Sequence, residues 1–336
     1  MRKRRNIFSM LAVMAVMAFS AVMLPSCNAI YDDLDPCPQG ARLRFVYDYN
    51  MEFANAFPSQ VDCLTLLVYD KDGKYVTSFT ETSSVLSDKN WYLEFPLGPG
   101  EYHLQAWGGM SCPDASFAFN GQPSEMSMTA LEVGIKPDCL TQPVGKALHH
   151  LFYGDLVLDI PASSTDYTEA TVYMMKDTNN IRILLQNLNG TPANGDDFIF
   201  TITDDNTLLA YDNDVIPGHS YTYYPWATGQ AAAGLLDDNT QALLAYAELR
   251  TSRLIEGSGA RLLIQRRSDS RTIVDIPIIN FLLMLKSQEF SSMGSQEFLD
   301  RESRWNMIFF LDDSGVWLNT YIKINDWIVR VNNIEA

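Results

Sequence analysis

Five cysteines are the residues of this 336-residue chain whose type and placement suggest covalent chemistry. The first, Cys27, follows a basic patch at residues 2–5 and an apolar run at residues 7–24. A basic head, an apolar core and small residues before a cleavage point are typical of a secretory signal. Because a cysteine stands directly after this core, in Leu24-Pro25-Ser26-Cys27, we expect cleavage before Cys27 and lipidation of its sulfur.

Two other readings of this segment stay open. An ordinary cleaved signal would leave Cys27 as a plain thiol, and Pro25 is unusual at its place in a lipidation motif. A transmembrane anchor is disfavoured, because residues 7–24 give the bare minimum for a span and their flanks are those of a signal. We therefore predict a signal peptide at 1–26 and a tether at 27–40, attached to a membrane through lipid.

The remaining cysteines are even in number: Cys37, Cys63, Cys112 and Cys139. In an exported protein such a set predicts two disulfides, for which three pairings exist. We favour Cys63 with Cys112 and Cys37 with Cys139; the alternative is four reduced, buried thiols. All four lie in the first half of the chain, which suggests that this half is a separate unit. The absence of a CxxC motif or a close Cys/His pair argues against zinc.

The charge of the chain excludes one class of partner. The formal net charge is −17, and removal of residues 1–26 takes away four basic and no acidic residues, which leaves −21. Such a surface repels nucleic acid and anionic lipid headgroups, and no basic cluster offsets it. We therefore predict no nucleic-acid binding.

Apolar and polar residues alternate with a period of two through most of the chain, which is typical of half-buried β-strands. In residues 41–49, for example, Leu43, Phe45 and Tyr47 share one face. The pattern predicts strands at 41–49, 63–69, 75–80, 91–95, 101–107, 156–160, 180–187, 198–203, 262–266, 272–276, 305–311, 316–324 and 327–331.

The arrangement of these strands predicts an all-β protein with two consecutive β-sandwiches. Residues 161–166 are polar, contain a proline and lack periodicity, so we place the domain boundary there, between sandwiches at 41–165 and 166–336. Residues 280–303 interrupt the strand pattern with a short helical or loop insertion before the last three strands. No self-similarity with a period of 20–50 residues indicates a solenoid.

Motifs for catalysis or metal binding are weak. The histidines lack a nucleophile motif such as GxSxG, so we predict no catalytic residue, cofactor or metal; they are His103, His149, His150 and His219. Asp70-Lys71-Asp72-Gly73 begins like a calcium loop but lacks the later ligands, so we predict a hairpin turn. A carboxylate pair for glycoside hydrolysis stays open, because its spacing is spatial rather than sequential.

Aromatic residues offer a second reading of function. A surface lipoprotein that binds glycan or host protein would need an exposed stacking platform, although aromatic residues in β-sandwiches more often pack in the core or at an edge. The candidates for such a platform are Trp107, Tyr221, Tyr223, Tyr224 and Trp226.

The chain resembles the fimbrial anchor lipoproteins of the Bacteroidales, the minor subunits of type V pili of the FimB/Mfa type. The resemblance covers most of the chain after Cys27, and the acidic residues Asp32, Asp33 and Asp35 resemble surface-export signals of Bacteroidetes lipoproteins. The segments that carry it are 30–37, 43–49, 68–73, 100–109, 150–154, 296–302 and 324–327.

What the resemblance implies is a non-enzymatic part with two transthyretin-like sandwiches, lipid-anchored in the outer membrane, that joins pilin by β-strand complementation. Pilins of this family are clipped by an arginine-specific protease to open a groove. Because Arg42 and Arg44 lie inside the first strand, we expect this chain to keep that strand. The candidate partner strands are those of Leu43, Phe45 and Tyr47 and of Trp327, Val329 and Val331.

Overall fold

Alternating apolar residues build five β-sheets in the computed structural model, which describes residues 39–140, 146–164, 166–235, 241–286, 290–324 and 327–330. The sheets form two β-sandwiches, so the predicted all-β class is confirmed. Cys27, Cys37, Val331, the signal peptide and most of the tether lie outside the described residues.

The first sandwich, here called the N-sandwich, pairs an outer sheet with a middle sheet. The outer sheet has the order β4-β1-β9 and the middle sheet the order β10-β8-β5-β2-β3. The strands are β1 Gly40–Val46, β2 Leu64–Asp70, β3 Tyr75–Glu81, β4 Leu93–Phe95, β5 Gly100–Gly108, β8 Phe152–Ile160, β9 Tyr167–Tyr173 and β10 Met175–Lys176.

The second sandwich, the C-sandwich, packs a six-stranded sheet on a four-stranded one. Their orders are β15-β16-β11-β19-β20-β21 and β14-β12-β17-β18. The strands are β11 Asn179–Asn187, β12 Phe198–Asp204, β14 Tyr221–Tyr223, β15 Ala227–Leu235, β16 Gln241–Thr251, β17 Arg261–Arg266, β18 Thr272–Pro277, β19 Arg304–Leu311, β20 Trp317–Ile324 and β21 Trp327–Arg330.

The two sandwiches share one strand topology. In the N-sandwich β1 pairs antiparallel with β4 and parallel with β9, while β2 pairs with β3 and β5, and β5 with β8. The C-sandwich repeats these pairings, with β11 in the place of β1, β12 in that of β2, β14 in that of β3, β16 in that of β4, β17 in that of β5, β18 in that of β8 and β19 in that of β9. The C-sandwich then adds the hairpin of β20 and β21 beyond β19.

The middle sheet is buried on both faces. From β2, Leu66 and Val68 pack into the core of the N-sandwich, whereas Leu67 and Tyr69 belong to a second core that continues into the C-sandwich. Trp107 of β5 is also fully buried in that second core. The two sandwiches are therefore joined through a continuous apolar interior, and residues 39–336 form one compact unit.

A fifth sheet ties the halves of the chain together. It has the order β13-β7-β6, with β6 Phe117–Phe119 and β7 Glu132–Ile135 from the first half and β13 Leu208–Ala210 from the second. Both this sheet and the shared core correct our expectation that the first half is a separate unit.

The boundary between the sandwiches also differs from the prediction at 165/166. Strand β9 pairs with β1 along its whole length, and β10 pairs with β8, so both strands belong to the N-sandwich. The chain crosses to the C-sandwich between Lys176 and Asn179. The polar segment near 161–166 connects β8 to β9 within one sandwich.

The insertion before the last three strands contains helices, as predicted. They are α2 Ile278–Leu283 and α3 Ser295–Arg301, and a shorter helix, α1 Phe57–Gln60, follows β1. Helix α3 braces the N-sandwich, because the Arg301 guanidinium lies 4.0 Å from the ring centre of Tyr49 and 4.9 Å from that of Phe53. None of the helices within the described residues is long and apolar enough to cross a membrane.

Among the described cysteines, Cys63 and Cys112 form a disulfide, with Cα atoms 5.5 Å apart. It links the start of β2 to the loop after β5, and both cysteines are buried. Cys139 is a free cysteine in the structure, and Cys37 lies outside the described residues, so the pairing of Cys37 with Cys139 stays a prediction. Cys139 is only partly buried, beside the aromatic residues near Tyr221.

A buried lysine lies where the chain leaves the N-sandwich. The Lys176 ammonium donates a hydrogen bond to Oε1 of Gln60 at 3.1 Å and lies 5.7 Å from the ring centre of Phe152. Burial, followed by the charges of Arg250 and Arg304, lowers the pKa of Lys176 from 10.5 to about 7. The charged form therefore destabilises the fold at neutral pH, since no carboxylate pairs with it in the described residues.

We expect loss of the disulfide to destabilise the protein, because it closes a loop with a sequence separation of 49 residues. Replacing both Cys63 and Cys112 by Ala should lower the free energy of unfolding by about 3–4 kcal/mol. Guanidinium denaturation followed by tryptophan fluorescence measures this loss. The single variant Cys139→Ala serves as the control and should change stability far less; equal losses for both variants would contradict the assignment.

We also expect Lys176 to make stability depend on alkaline pH. Its folded pKa lies below the unfolded value, so between about pH 7 and 10.5 the unfolded chain binds more protons. Stability therefore rises with pH across this window, by at most about 1.4 kcal/mol per pH unit. Lys176→Met should abolish this slope in denaturation curves at pH 7 to 10, whereas Lys74→Met, at an exposed turn position, should keep it. If the wild type, Lys176→Met and Lys74→Met show parallel profiles of stability against pH, burial does not lower the pKa of the Lys176 amine.

Candidate assembly surfaces

The first candidate partner strand is locked inside the N-sandwich. Leu43, Phe45 and Tyr47 are buried in its core, and β1 is hydrogen-bonded to β4 on one side and β9 on the other. A partner strand can pair with β1 only if one of its neighbours is displaced. The structure thus places these three residues in the interior of the fold, away from any exposed edge.

Ion pairs stabilise the solvent-facing side of β1. The Arg42 guanidinium binds Glu94 and Glu169, each at 2.7 Å, and lies 4.9 Å and 5.3 Å from the ring centres of Tyr92 and Tyr167. Hydrogen bonds to Glu169 and then Glu94 raise the pKa of Arg42 above its ordinary value. The backbone at Arg42 is paired with β4 on one side and β9 on the other, and its side chain is held by two carboxylates. A protease, in contrast, needs an extended backbone whose hydrogen-bonding groups are free.

The second candidate partner strand lies at an edge. Strand β21 pairs antiparallel with β20, with Trp327 opposite Ile324 and Val329 opposite Ile322. No other strand of the described residues pairs with its outer side. Val331 lies outside the described residues. The backbone groups along this edge are open to a further strand.

Strand β9 is a further edge that sequence reasoning missed. Its counterpart in the C-sandwich, β19, is covered by the hairpin of β20 and β21, whereas β9 ends the outer sheet within the described residues. We missed it because residues 167–173 were assigned to the second sandwich. The alternation of Tyr167, Glu169 and Thr171 with smaller residues is the signal that could have identified the strand.

The histidines near the disulfide are engaged in structural contacts. Nδ1 of His149 lies 3.1 Å from the carbonyl oxygen of His150, and its Nε2 lies 3.2 Å from Asp62 and 3.4 Å from Asp114. Burial lowers the pKa of His150 to about 2, so this ring stays neutral beside the Thr178 hydroxyl at 3.2 Å. Among the described residues, the one cluster of three metal-ligand atoms is Asp62, Cys63 and Cys112, and its sulfurs form the disulfide.

The predicted aromatic platform is largely closed. Trp107 is fully buried in the shared core, and Tyr223 is buried and donates a hydrogen bond to Asn206 at 2.6 Å. Tyr221 packs edge-on against Tyr223 and donates to the carbonyl of Leu140. Trp226 is 38% exposed, and the pocket that it lines with Tyr221, Tyr223 and Tyr224 has a volume of only about 10 Å³.

The acidic turn predicted at Asp70–Gly73 is a hairpin turn, as expected. Oδ1 of Asp70 accepts hydrogen bonds from the backbone N–H groups of Asp72 and Lys74 at 3.0 and 2.9 Å. Its carboxylate thus shapes the connection from β2 to β3.

Known proteins that this chain resembles include subunits of fimbriae. In a search of curated proteins, the minor fimbrium anchoring subunit Mfa2 of Porphyromonas gingivalis is 30% identical over 109 residues, which is 32% of this chain and 32% of that protein. The match therefore spans about a third of that relative's length.

Solved structures match over far more of the chain. A candidate adhesin from Bacteroides thetaiotaomicron is 50% identical, with a TM-score of 0.84 over 89% of this chain and 100% of that one. A candidate polysaccharide-binding protein from the same species is 30% identical, with a TM-score of 0.73 over 88% and 98% of the two chains. The fimbrial anchor protein Mfa2 of P. gingivalis, 16% identical, shares the fold with a TM-score of 0.63 over 88% and 99%.

The family model that describes the fimbrillin-A associated anchor proteins Mfa1 and Mfa2 matches residues 34–333. This match covers both sandwiches and extends past both terminal strands, β1 and β21. The resemblance drawn from the sequence is thereby confirmed, and the chain belongs to the family of fimbrillin-A associated anchor proteins.

Proposed function

We propose that this protein anchors a fimbria to the outer membrane, held by lipid at Cys27 and joined to a pilin through the open edge of β21. The observation that carries the proposal is the contrast between the two ends of the fold. The first strand is buried and paired on both sides, whereas the last described strand ends its sheet. The subunit at the base of a fimbria needs one end whose strand is already paired on both sides and one end with an edge strand that can pair with the next subunit.

The chemistry of the joint is strand addition. An added strand forms main-chain hydrogen bonds with an edge, and alternate side chains of the two partners fix the register. The edge of β21 offers such groups, and its position at the end of a six-stranded sheet supports growth in one direction. Because β1 fills its own groove, the N-sandwich does not need a strand from another subunit, which suits the lowest subunit of a fimbria.

The lipid at Cys27 is the membrane side of this proposal. Eleven residues lie between Cys27 and the first described residue, Gln39, and a fully extended connection of that length spans at most about 40 Å. That reach allows the N-sandwich to clear the lipid headgroups while it stays close to the membrane. Keeping β1 intact also keeps this covalent connection, since cleavage at Arg42 or Arg44 would separate the lipid from the fold.

We expect Cys27→Ala to release folded protein from the membrane fraction, because the sulfur that carries the lipid is removed. Fimbriae should then be shed into the medium. Fractionation, electron microscopy and mass spectrometry of the mature N-terminus measure these effects, with Cys37→Ala as the matched control that stays membrane-bound. Retention of Cys27→Ala in the outer membrane, or a mature N-terminus beyond Arg44, would contradict the proposal.

We expect proline in β21 to block pilin binding from one side of the strand only. Adjacent residues of a strand direct their N–H groups to opposite sides, so of Ile328→Pro and Val329→Pro one breaks a bond to β20 and the other removes a donor from the open edge. The edge-facing variant should change the unfolding free energy by about 0.5 kcal/mol or less. It should nevertheless lose at least tenfold of the pilin that co-purifies with the wild type.

The readout for this pair is a gel of tagged protein from outer membranes, run unheated and heated. An SDS-resistant complex that contains pilin and dissociates on boiling indicates a strand-exchanged joint in the wild type. If both proline variants retain that complex in wild-type amounts, β21 is not the joining strand.

A further inference from the structure

A cleft of about 450 Å³ lies where the two sandwiches meet, and no residue of β21 lines it. One wall comes from the N-sandwich, at the ends of β1, β8 and β9, and the other from the loop after β13 in the C-sandwich. The cleft combines carboxylates with aromatic rings. Its rim includes Tyr49 and Tyr173, and Tyr173 is 63% exposed.

Four carboxylates line this cleft without a cation of their own: Asp48, Asp155, Asp212 and Asp214. None of them forms an ion pair within the part of the chain that the structure describes. The cleft contains one basic residue, Arg253, whose guanidinium binds Asp300 through two hydrogen bonds of 2.9 Å and donates to the Asn213 carbonyl at 2.7 Å. The charge of Arg253 is therefore already compensated.

Two buried polar groups, the Tyr153 hydroxyl and the Asn213 amide, lie at the cleft. Burial raises the pKa of the Tyr153 hydroxyl, and the carboxylates of Asp155 and Asp212 raise it further. Asn213 lines the cleft, is only 2% exposed, and has no hydrogen-bond partner for its Oδ1 among the described residues. A buried amide oxygen without a donor is costly, so this site lacks a hydrogen-bond donor.

The protein itself shows what such a set of groups binds. On the outer sheet, Arg42 lies beside Tyr92 and Tyr167 and bridges Glu94 and Glu169. The cleft likewise places carboxylates beside tyrosine rings, and the ring of Tyr173 is exposed. Its nearby guanidinium groups are already engaged, since Arg253 binds Asp300 and Arg301 stacks on Tyr49. Its carboxylates are too dispersed for a metal ion, because no three of them bring their oxygens within 4.8 Å of one another in the described structure.

We propose that the cleft binds an arginine side chain of a partner protein. A guanidinium carries five donors in a plane, so it can bind carboxylates edge-on while its faces stack on aromatic rings. It also remains charged at every physiological pH. This inference concerns a surface separate from β21 and does not depend on the anchor function.

The test uses the chain from Gln39 to Ala336 and two peptides, acetyl-Gly-Arg-Gly-amide and the same peptide with citrulline in place of arginine. Citrulline keeps the shape of the side chain but has no charge. We expect the arginine peptide to shift the NMR signals of Tyr49 and Tyr173 in a saturable manner, and to bind at least tenfold more tightly than the citrulline peptide. Raising the salt concentration should weaken this binding.

The double variant Asp155→Asn/Asp212→Asn should weaken arginine binding at least tenfold. Asp159→Asn is the matched control, because Asp159 is an exposed carboxylate on the same strand as Asp155 but lies outside the cleft. Thermal melting of each variant checks that the fold is kept. The proposal is overturned if the arginine peptide does not bind, if citrulline binds equally well, or if Asp159→Asn causes the same loss.

Discussion

The burial of the middle sheet on both faces is the constraint on which the rest of the structure depends. Strand β2 sends Leu66 and Val68 into the core of the N-sandwich and Leu67 and Tyr69 into the core that continues into the C-sandwich, so it contributes to both. An apolar face exposed to water costs roughly 25 cal/mol per Å². Separation of the sandwiches would uncover the second face, including Trp107, and the two are therefore held as one unit.

This shared core determines how the two ends of the chain can differ in role. The bridging sheet, helix α3 and the stacking of Arg301 on Tyr49 all connect the same pair of sandwiches. With the joint filled by apolar packing and hydrogen bonds, the sandwiches have no flexible linker between them. The sealed strand β1 and the edge strand β21 thus belong to one compact unit.

Much of the fold could be predicted from alternation, because half-buried strands carry the period of two in their side chains. One missed strand, β15, lacks this period, because it is rich in alanine and glycine and is paired to β16 by tertiary context. The continuous apolar run in β2 is a signal from which its burial on both faces could have been predicted, but we predicted only a strand there. The closed aromatic cluster and the cleft could not be foreseen, since both bring together residues from distant segments, such as Asp48 with Asp212.

The parallel pairing of β1 with β9 has a mechanical meaning. With seven residue pairs in register, a pull on residue 39 along the axis of β1 loads this ladder and that with β4 in shear, so their hydrogen bonds share the force. Peeling a hairpin breaks such bonds one after another, and resistance to pulling is governed by the rate of unfolding. The Cys63–Cys112 bridge adds a stop, because the segment it encloses cannot lengthen under tension. The fold is built to withstand traction at its first strand.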